Sequence, residues 1–391
     1  MRNIRILVLI LCACFVSVAW AQQPAGKGHI NWRQFRFDAS HTGLNPYEHV
    51  LSVNNVGSLQ LKWSHSTGRG TLVEDSPAVV NEVVYAGSQR NFSVFALKAS
   101  TGALLWRYKA DGWLRSSPAV AKGVVYIGSS EGGGPHGNVY ALKADTGAKL
   151  WSYPTGGISS SPTVANGVVY VDSDFGDVYA LKASTGALLW SYAAGGAYSS
   201  PAVANGVVYV GGGDNVYALE ASTGALLWSY TTGSNVASAP SVVAGVVYVG
   251  SNDDNVYALD ASTGALLWSY LTGGQVASGP AVANGVVYVG SNDGNVYALD
   301  TSTGALLWSF TTGYPAFSSP AVANGVVYFG GGAGSGGPVP VYALDASTGA
   351  ELWSYTAGQS VISSPAVVNG VVYVGSDDSH VYAFALKKGQ K

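Results

Sequence analysis

The sequence predicts an all-β fold, an eight-bladed β-propeller of four-stranded antiparallel blades. The first observation is a self-similar unit whose closing tryptophans recur 38 to 45 residues apart along almost the whole chain. A fixed period of that size is typical of a solenoid or a propeller. The second observation is the content of the unit, four short β-branched segments separated by polar turns, without the 3.6-residue period of a helix. Four strands per repeat favour a propeller blade and exclude a helical solenoid. The closing tryptophans are Trp63, Trp106, Trp151, Trp190, Trp228, Trp268, Trp308 and Trp353.

Residues 280–308, PAVANGVVYVGSNDGNVYALDTSTGALLW, show the elements of one unit. Asn284-Gly285 is a strong two-residue hairpin signal, because both central positions of a type I′ turn need a positive φ. GVVYVG and NVYALD read as the second and third strands, joined by the polar turn SNDGN. ALLWSF reads as the fourth strand, and strict alternation places Leu306 on the same face as Trp308.

The count of units predicts how the ring closes. Eight proline-led strand triplets follow residue 77, but the last has no tryptophan strand after it, whereas the strand around Trp63 precedes the first triplet. We therefore expect this N-terminal strand to complete the eighth blade beside Val381–Leu386. Such closure removes a free sheet edge. Residues 58–391 are predicted to form the propeller, and residues 22–57 a lead-in segment.

The first 21 residues read as a secretory signal peptide cleaved after Ala21. They contain two arginines, an apolar core and the small-x-small signal Ala19-Trp20-Ala21. Leu11–Cys14 loosely fits a lipidation box, but the apolar run continues beyond it, which argues against a lipoprotein. The expected location is the periplasm or the exterior, without a transmembrane segment. Both cysteines of the chain lie in this stretch, so the mature protein has no disulfide, thiolate nucleophile or cysteine metal site.

Charged residues make up only 10% of the chain, against about 25% in ordinary soluble domains. Removal of Arg2 and Arg5 with the signal peptide leaves 17 basic against 22 acidic residues, a net charge near −5. The chain has no basic stripe, which excludes nucleic acid as the expected partner. A neutral polar surface also offers little repulsion against self-association.

Candidate binding residues lie where the repeats differ. The loops that lead into the innermost strands line one mouth of the central channel, and most are bland runs such as ISSSP or VASAP. The first two are different, with Glu74 and Asp75 in the first and Asp111, Trp113 and Arg115 in the second. A few convergent polar groups beside an aromatic ring are typical of a binding site for a small ligand. The sequence therefore predicts a ligand or protein partner at this mouth.

Several stretches carry a resemblance to a known family. The lead-in, with Trp32 and Asn45-Pro46, resembles the start of quinoprotein alcohol dehydrogenases. The recurring run A-[SD]-T-G-A-x-L-W, as in 99–106 and 144–151, is similar to the tryptophan-docking motif of pyrroloquinoline quinone (PQQ) propeller repeats. The resemblance covers residues 32–386. The same repeats build quinone dehydrogenases and non-enzymatic scaffolds such as the propeller lipoprotein of the outer-membrane barrel-assembly machinery.

The resemblance implies roles for particular residues. Glu74 matches a glutamate three residues before the first-blade proline, and Arg115 is placed like an arginine that contacts the quinone. Glu131 is a loose counterpart of a calcium-binding glutamate, one blade early. The family's vicinal cysteines are replaced by Asp111-Gly112-Trp113, and its catalytic aspartate has no counterpart, so no catalytic residue is assigned. PQQ and calcium are implied by the resemblance alone, and an ion pair between Glu74 and Arg115 is the competing interpretation.

Three functions follow as hypotheses. The favoured one is an exported, non-enzymatic propeller that acts as a binding or assembly platform, because the blades are uniform and catalytic groups are missing. The second is a PQQ-dependent alcohol or sugar dehydrogenase with the quinone at the channel mouth. The third is a structural surface protein that self-associates through its neutral faces.

Overall fold

The computed structural model describes residues 30–131, 136–196, 198–332 and 337–387. These residues form eight antiparallel sheets, each with four strands from the repeats, and this confirms the predicted eight-bladed propeller. The predicted signal peptide lies outside the described residues. Within the described part of the chain, no helix has the length and the apolar character needed to cross a bilayer.

The strands recur in the same order in every blade. The innermost strands are Ala78–Val80, Ala119–Ala121, Thr163–Ala165, Ala202–Ala204, Ser241–Val243, Ala281–Ala283, Ala321–Ala323 and Ala366–Val368. The second strands are Val83–Ser88, Val124–Gly128, Val168–Asp172, Val207–Gly212, Val246–Gly250, Val286–Gly290, Val326–Gly330 and Val371–Ser376. The third strands are Ser93–Lys98, Asn138–Lys143, Asp177–Lys182, Asn215–Glu220, Asn255–Asp260, Asn295–Asp300, Val339–Asp345 and His380–Ala385. The outermost strands are Leu104–Lys109, Lys149–Pro154, Leu188–Ala193, Leu226–Thr231, Leu266–Leu271, Leu306–Thr311, Glu351–Ala357 and, in the eighth blade, Gln60–Ser66. Leu44–Asn45 adds a short parallel strand beside Ala321–Ala323, and Val56–Ser58 is a 3₁₀ turn.

The ring closes as predicted. Gln60–Ser66 pairs antiparallel with His380–Ala385, with Trp63 opposite Ala383. The eighth blade thus combines one strand from the start of the propeller with three from its end. The closing strand thereby covers the outer edge of His380–Ala385.

The turns behave as their residues require. Asn284 and Gly285 have φ angles of 51° and 80°, as the type I′ hairpin needs. Asparagine tolerates the left-handed region better than most residues and glycine enters it without steric cost.

The alternation predicted for the fourth strand was wrong at its first residue. Leu306 and Leu307 are 45% and 52% exposed, whereas Trp308 is partly buried. The pairing with the third strand shifts register between Ala298 and Leu299. A β-bulge of this kind places two residues against one, so the period of two fails there. The same register shift occurs in the other blades that carry this leucine pair.

Each repeat tryptophan joins its blade to the next one. Trp228 Nε1 donates a hydrogen bond to the carbonyl oxygen of Ala261 in the following blade, at 3.0 Å. Its ring covers Gly264, where a Cβ would lie 2.7 Å from the indole carbons Cδ2 and Cε3. Tyr209 packs against the same ring, with centroids 5.9 Å apart. At the closure, Trp353 donates to the Leu59 carbonyl instead, so the N-terminal segment replaces the missing turn.

Candidate functional site

A belt of serine residues lines the mouth of the central channel. The belt position is the residue before each repeat proline, and its backbone N–H donates to the side-chain oxygen of the belt residue one blade further on. The bonds run from Ser76 to Ser117 (2.9 Å), Ser117 to Ser161 (3.1 Å), Ser161 to Ser200 (2.9 Å), Gly279 to Ser319 (2.9 Å), Ser319 to Ser364 (3.0 Å) and Ser364 to Ser76 (2.9 Å). The last of these closes the ring. The hydroxyl is missing only at Ala239 and Gly279.

The lead-in segment occupies the far part of the channel and bonds to all eight innermost strands in order. The partners along those strands are Val79, Val120, Val164, Val203, Val242, Val282, Val322 and Val367, which contact Trp32, Arg33, Gln34, Ala39, Ser40, Thr42, Gly43 and Asn45 respectively. These bonds satisfy backbone groups that would otherwise face an open pore. The channel is therefore a blind pocket that opens at the serine-lined mouth.

Arg36 contacts both belt positions that lack a hydroxyl and explains the gap at Gly279. Its side chain is 2% exposed, and Nη1 donates to the Ala239 carbonyl oxygen at 3.4 Å. A Cβ at Gly279 would lie 2.6 Å from the same nitrogen. Burial lowers the pKa of Arg36 to about 9, and the charge of Asp38 opposes that shift. A serine at position 279 would collide with the guanidinium, so glycine replaces the repeat's serine there.

The blind pocket at the mouth has a volume of about 180 Å³. Phe35 is one of its lining residues, and the belt serines supply much of the rest. Apolar side chains also line it, namely Tyr198, Phe317 and Ile362. Tyr198 is 58% exposed and has a φ of 63°, a strained value for a residue with an aromatic side chain. Strain of this kind recurs at binding sites.

The structure brings Glu74 and Arg115 together at this pocket. Arg115 Nε lies 3.5 Å from Glu74 Oε2, and the guanidinium carbon lies 5.3 Å from the centre of the Trp113 ring. The Gln89 amide lies beside the same guanidinium, and with this amide turned so that its oxygen faces Arg115, the oxygen accepts from Nη2 at 2.8 Å. Burial raises the pKa of Glu74, and the charges of Arg115 and Arg90 oppose that shift. The ion pair that competed with the quinone interpretation is therefore present.

Asp75 is turned away from the ligand space. Its side chain is fully buried, and Oδ2 accepts a hydrogen bond from the Gly87 N–H. In the next blade a serine fills the same role, with Ser116 Oγ accepting from the Gly128 N–H at 3.1 Å. Asp75 Oδ1 has no partner among the described residues. Burial raises the pKa of this carboxyl well above its usual range.

Asp111 holds the second blade together. Its Oδ1 accepts from Ser129 Oγ at 3.0 Å and its Oδ2 from Asn138 Nδ2 at 2.6 Å. Trp113 pairs with Ser130 in an isolated bridge beside these contacts. Asp111 is thus bound to neighbours of its own blade.

Glu131 is exposed, and its backbone N–H donates to the His136 carbonyl oxygen at 3.0 Å. Among the described residues, no group of three or more histidine, cysteine, aspartate or glutamate side chains could hold a metal ion. A calcium ion prefers six to eight oxygen ligands. Neither calcium nor a quinone fits the donors present, because Glu74 and Arg115 are paired with each other and Asp75 is buried.

Sequence reasoning missed Phe35, which the lead-in brings to the pocket, and Arg36, which contacts the pocket-lining Ala239 and Gly279. The gaps at Ala239 and Gly279 were the available signal, because only those two blades lack the belt hydroxyl. It also missed Gln89, which follows the second strand of the first blade.

The fold and the repeat contacts define an eight-bladed propeller of the PQQ type. The chain belongs to the PQQ_2 family, described as "Outer membrane protein assembly factor BamB", whose model matches residues 25–152, 135–215, 199–278, 273–337 and 333–391.

The similar proteins include quinone-dependent alcohol dehydrogenases and an outer-membrane assembly factor. The dehydrogenase subunit of the quinone alcohol dehydrogenase of Gluconobacter oxydans (strain 621H) is 37% identical over 138 residues, which cover 30% of this chain and 18% of that protein. The quinohemoprotein alcohol dehydrogenase ADHIIG of Pseudomonas putida HK5 superposes with a TM-score of 0.75 at 20% identity, over 91% of this chain and 80% of that one. BamB of Moraxella catarrhalis superposes with a TM-score of 0.72, also at 20% identity, over 84% of this chain and 99% of that one. The two structural likenesses show the fold and do not decide between an enzyme and an assembly factor.

Proposed function

We propose that this protein is an exported, non-enzymatic propeller that binds a partner protein at the serine-lined mouth. The partner inserts one apolar side chain into the blind pocket, and the rim around Glu74 and Arg115 contacts the surrounding polar groups. The description of the family as an outer membrane protein assembly factor supports a partner of this kind.

The size of the pocket carries the proposal. Its volume is about 180 Å³, whereas pockets for drug-sized ligands and cofactors span roughly 300–1,000 Å³. A space of that size suits a single side chain. Binding energy at protein interfaces is concentrated in a few aromatic or arginine anchors that fill such pockets. Phe35, Phe317 and Ile362 supply the apolar contacts for an anchor, and the exposed Tyr198 extends them to the rim.

The donors at the mouth favour this function over a PQQ-dependent dehydrogenase. The Arg115 guanidinium is engaged by Glu74, Gln89 and the Trp113 ring. A quinone carboxylate would have to displace these contacts. The local match to a quinone alcohol dehydrogenase keeps the enzyme as the second candidate, and self-association is the third.

Pocket filling tests the partner hypothesis. Random peptides are displayed on phage and selected on the wild-type propeller. Ala277 lines the pocket without taking part in the serine belt, so Ala277→Trp fills the pocket. Leu271→Trp adds the same ring on an outermost strand, where Leu271 is 67% exposed, and serves as the matched control. We expect selected peptides to share an apolar anchor and to bind the control but not Ala277→Trp. Equal binding to both variants, or no selection at all, would contradict the proposal.

Titration with PQQ and calcium tests the dehydrogenase hypothesis. Binding is followed by quinone absorbance and by thermal unfolding. We expect no saturable binding. Calcium-dependent binding that Glu74→Ala and Arg115→Ala abolish would establish the quinone site instead. Sedimentation equilibrium tests self-association by the mass in solution.

A further inference from the structure

A second and larger cavity lies at the seam where the two ends of the propeller meet. We call it the seam cleft. Its volume is about 480 Å³, within the range of small-molecule sites. One wall comes from residues 66–72, which follow the closing strand, and the other from the turn 377–380 of the eighth blade. Arg90 of the first blade and residues 358–359 complete it.

The cleft contains both signs of charge in a chain that is otherwise poor in charge. Arg69 and Arg90 line it together with Asp377, Asp378 and His380. Within the described part of the chain, Arg69 has no ion-pair or hydrogen-bond partner. A guanidinium and a carboxylate-lined wall in one cleft offer both signs of charge to a ligand.

Asp378 has a structural role that other blades repeat. Its Oδ2 accepts from the Gly358 N–H at 2.8 Å and from the Tyr382 hydroxyl at 2.6 Å. Asp293 makes the same two kinds of bond in the sixth blade. Asp378 is therefore expected to shape the cleft rather than to bind the ligand.

Asp377 is different from its equivalents. The same position is Asn252 and Asn292 in two other blades, and all three N–H groups donate to the loop before them. In the third blade the position is Asp174, whose carboxylate accepts from Ser130 Oγ at 2.7 Å and from the Ser159 N–H at 2.9 Å.

Asp377 lacks such support, because its Oδ1 is buried without a hydrogen-bond partner in the described residues. The Oδ1 of the equivalent Asn292 is buried without a partner too, so Asp377 differs from it by the charge of its carboxylate. Burial, together with the charges of Glu74 and Asp378, raises the pKa of Asp377 to about 6, and the charge of Arg90 opposes that shift. An asparagine would fit the turn without this cost, so packing does not account for the carboxylate.

We propose that the seam cleft binds a small zwitterion of the amino-acid or dipeptide class, with its carboxylate on Arg69 and Arg90 and its ammonium group on Asp377. Guanidinium groups bind carboxylates through paired, charge-assisted hydrogen bonds. The carboxylates of the same cleft disfavour a phosphate or another dianion, and the arginines disfavour a metal ion. A ligand with both charges satisfies both walls at once.

Three probes built on the same dipeptide separate the two charges. Dialanine carries both of them, N-acetyl-dialanine lacks the ammonium group, and dialanine amide lacks the carboxylate. By isothermal titration calorimetry on the full protein we expect saturable binding of dialanine and at least about tenfold weaker binding of either blocked form.

Variants assign each charge to its wall. Asp377→Asn introduces the repeat's own residue at this turn, so the fold is expected to persist, which thermal unfolding checks. Asp377→Asn should weaken the binding of dialanine about tenfold and leave the binding of N-acetyl-dialanine unchanged. Arg90→Gln should weaken the binding of dialanine and leave the binding of dialanine amide unchanged. Asn292→Asp, the reverse exchange in the sixth blade, is the control and should leave the affinity for dialanine unchanged.

Absence of saturable heat up to roughly 10 mM dialanine in the wild type would overturn the proposal. Equal affinity of Asp377→Asn and wild type for dialanine would overturn it as well. Because the pocket-filling Ala277→Trp variant lies outside the cleft, its effect on peptides and the effect of these variants on dialanine are independent results.

Discussion

Gly264→Ala tests whether the tryptophan contact holds neighbouring blades together. Gly264 has a φ of 74°, and a Cβ there would lie 2.7 Å from two carbons of the Trp228 ring. An ordinary carbon–carbon contact is about 3.5 Å, so the ring would have to move by roughly 0.8 Å. The ring has little room, because Trp228 is 9% exposed and its Nε1 is bonded to Ala261.

Three costs add up in this variant. Placing alanine in the left-handed region costs about 1–2 kcal/mol. Overpacking a filled contact costs about 1–3 kcal/mol more, and part of the Trp228 hydrogen bond, worth about 1 kcal/mol, is lost as the ring shifts. The free energy of unfolding should therefore fall by about 3–5 kcal/mol.

Gly245→Ala is the matched control in the same blade. Gly245 has a φ of 82°, but a Cβ there would have no neighbour within 4 Å. It should lose only the backbone cost of about 1–2 kcal/mol. Urea unfolding at constant slope gives both values.

A double-mutant cycle completes the test. In a Trp228→Ala background, the cost of Gly264→Ala should shrink to that of Gly245→Ala, because the ring that the Cβ meets is gone. Equal losses for the two glycine variants in the wild-type background would refute the steric account of the blade contact.

Three further predictions concern stability. Asp75→Ser should raise the free energy of unfolding at pH 7 by about 1–3 kcal/mol, because it removes a buried oxygen without a partner. The folded state raises the pKa of Asp75, so the wild-type carboxyl is tolerated at acid pH. It becomes destabilising as the pH rises from the ordinary aspartate pKa of about 4 towards the raised value, and the gain should disappear in urea titrations near pH 4. Gly279→Ser should cost about 1–3 kcal/mol in the wild type but almost nothing in an Arg36→Ala background, and a double-mutant cycle that shows no coupling would contradict the collision. Trp353→Phe and Trp228→Phe should each lose about 1 kcal/mol in urea unfolding, and a much smaller loss for Trp353 would show that the closure is weaker than the other blade contacts.

The fold could be predicted because the same pattern of strands and turns recurs in every unit of the sequence. Hairpin residues such as Asn284-Gly285 recur at one spacing, and the unpaired strand around Trp63 can close only on the last blade. The exposed Leu306 could not be predicted from alternation, because a bulge depends on the pairing of two strands rather than on one.

The candidate site was predictable only in part. Glu74 and Arg115 stand out as departures from the repeat, and the structure places them 3.5 Å apart. Asp377 reads as an ordinary turn residue, since Asp253-Asp254 looks the same in sequence. It approaches Glu74 only because ring closure joins segments about 300 residues apart, which no local pattern reveals. The lead-in has no repeat of its own, so its path through eight strands was equally hidden.

Departures from the repeat fall into two groups with different causes. Gly279 departs because Arg36 needs its space, and packing explains that exchange. Asp377 and Arg69 have no such explanation, since an asparagine fits the turn and Arg69 has no partner among the described residues. A charge that costs stability and satisfies no neighbour has to be explained by something outside the fold.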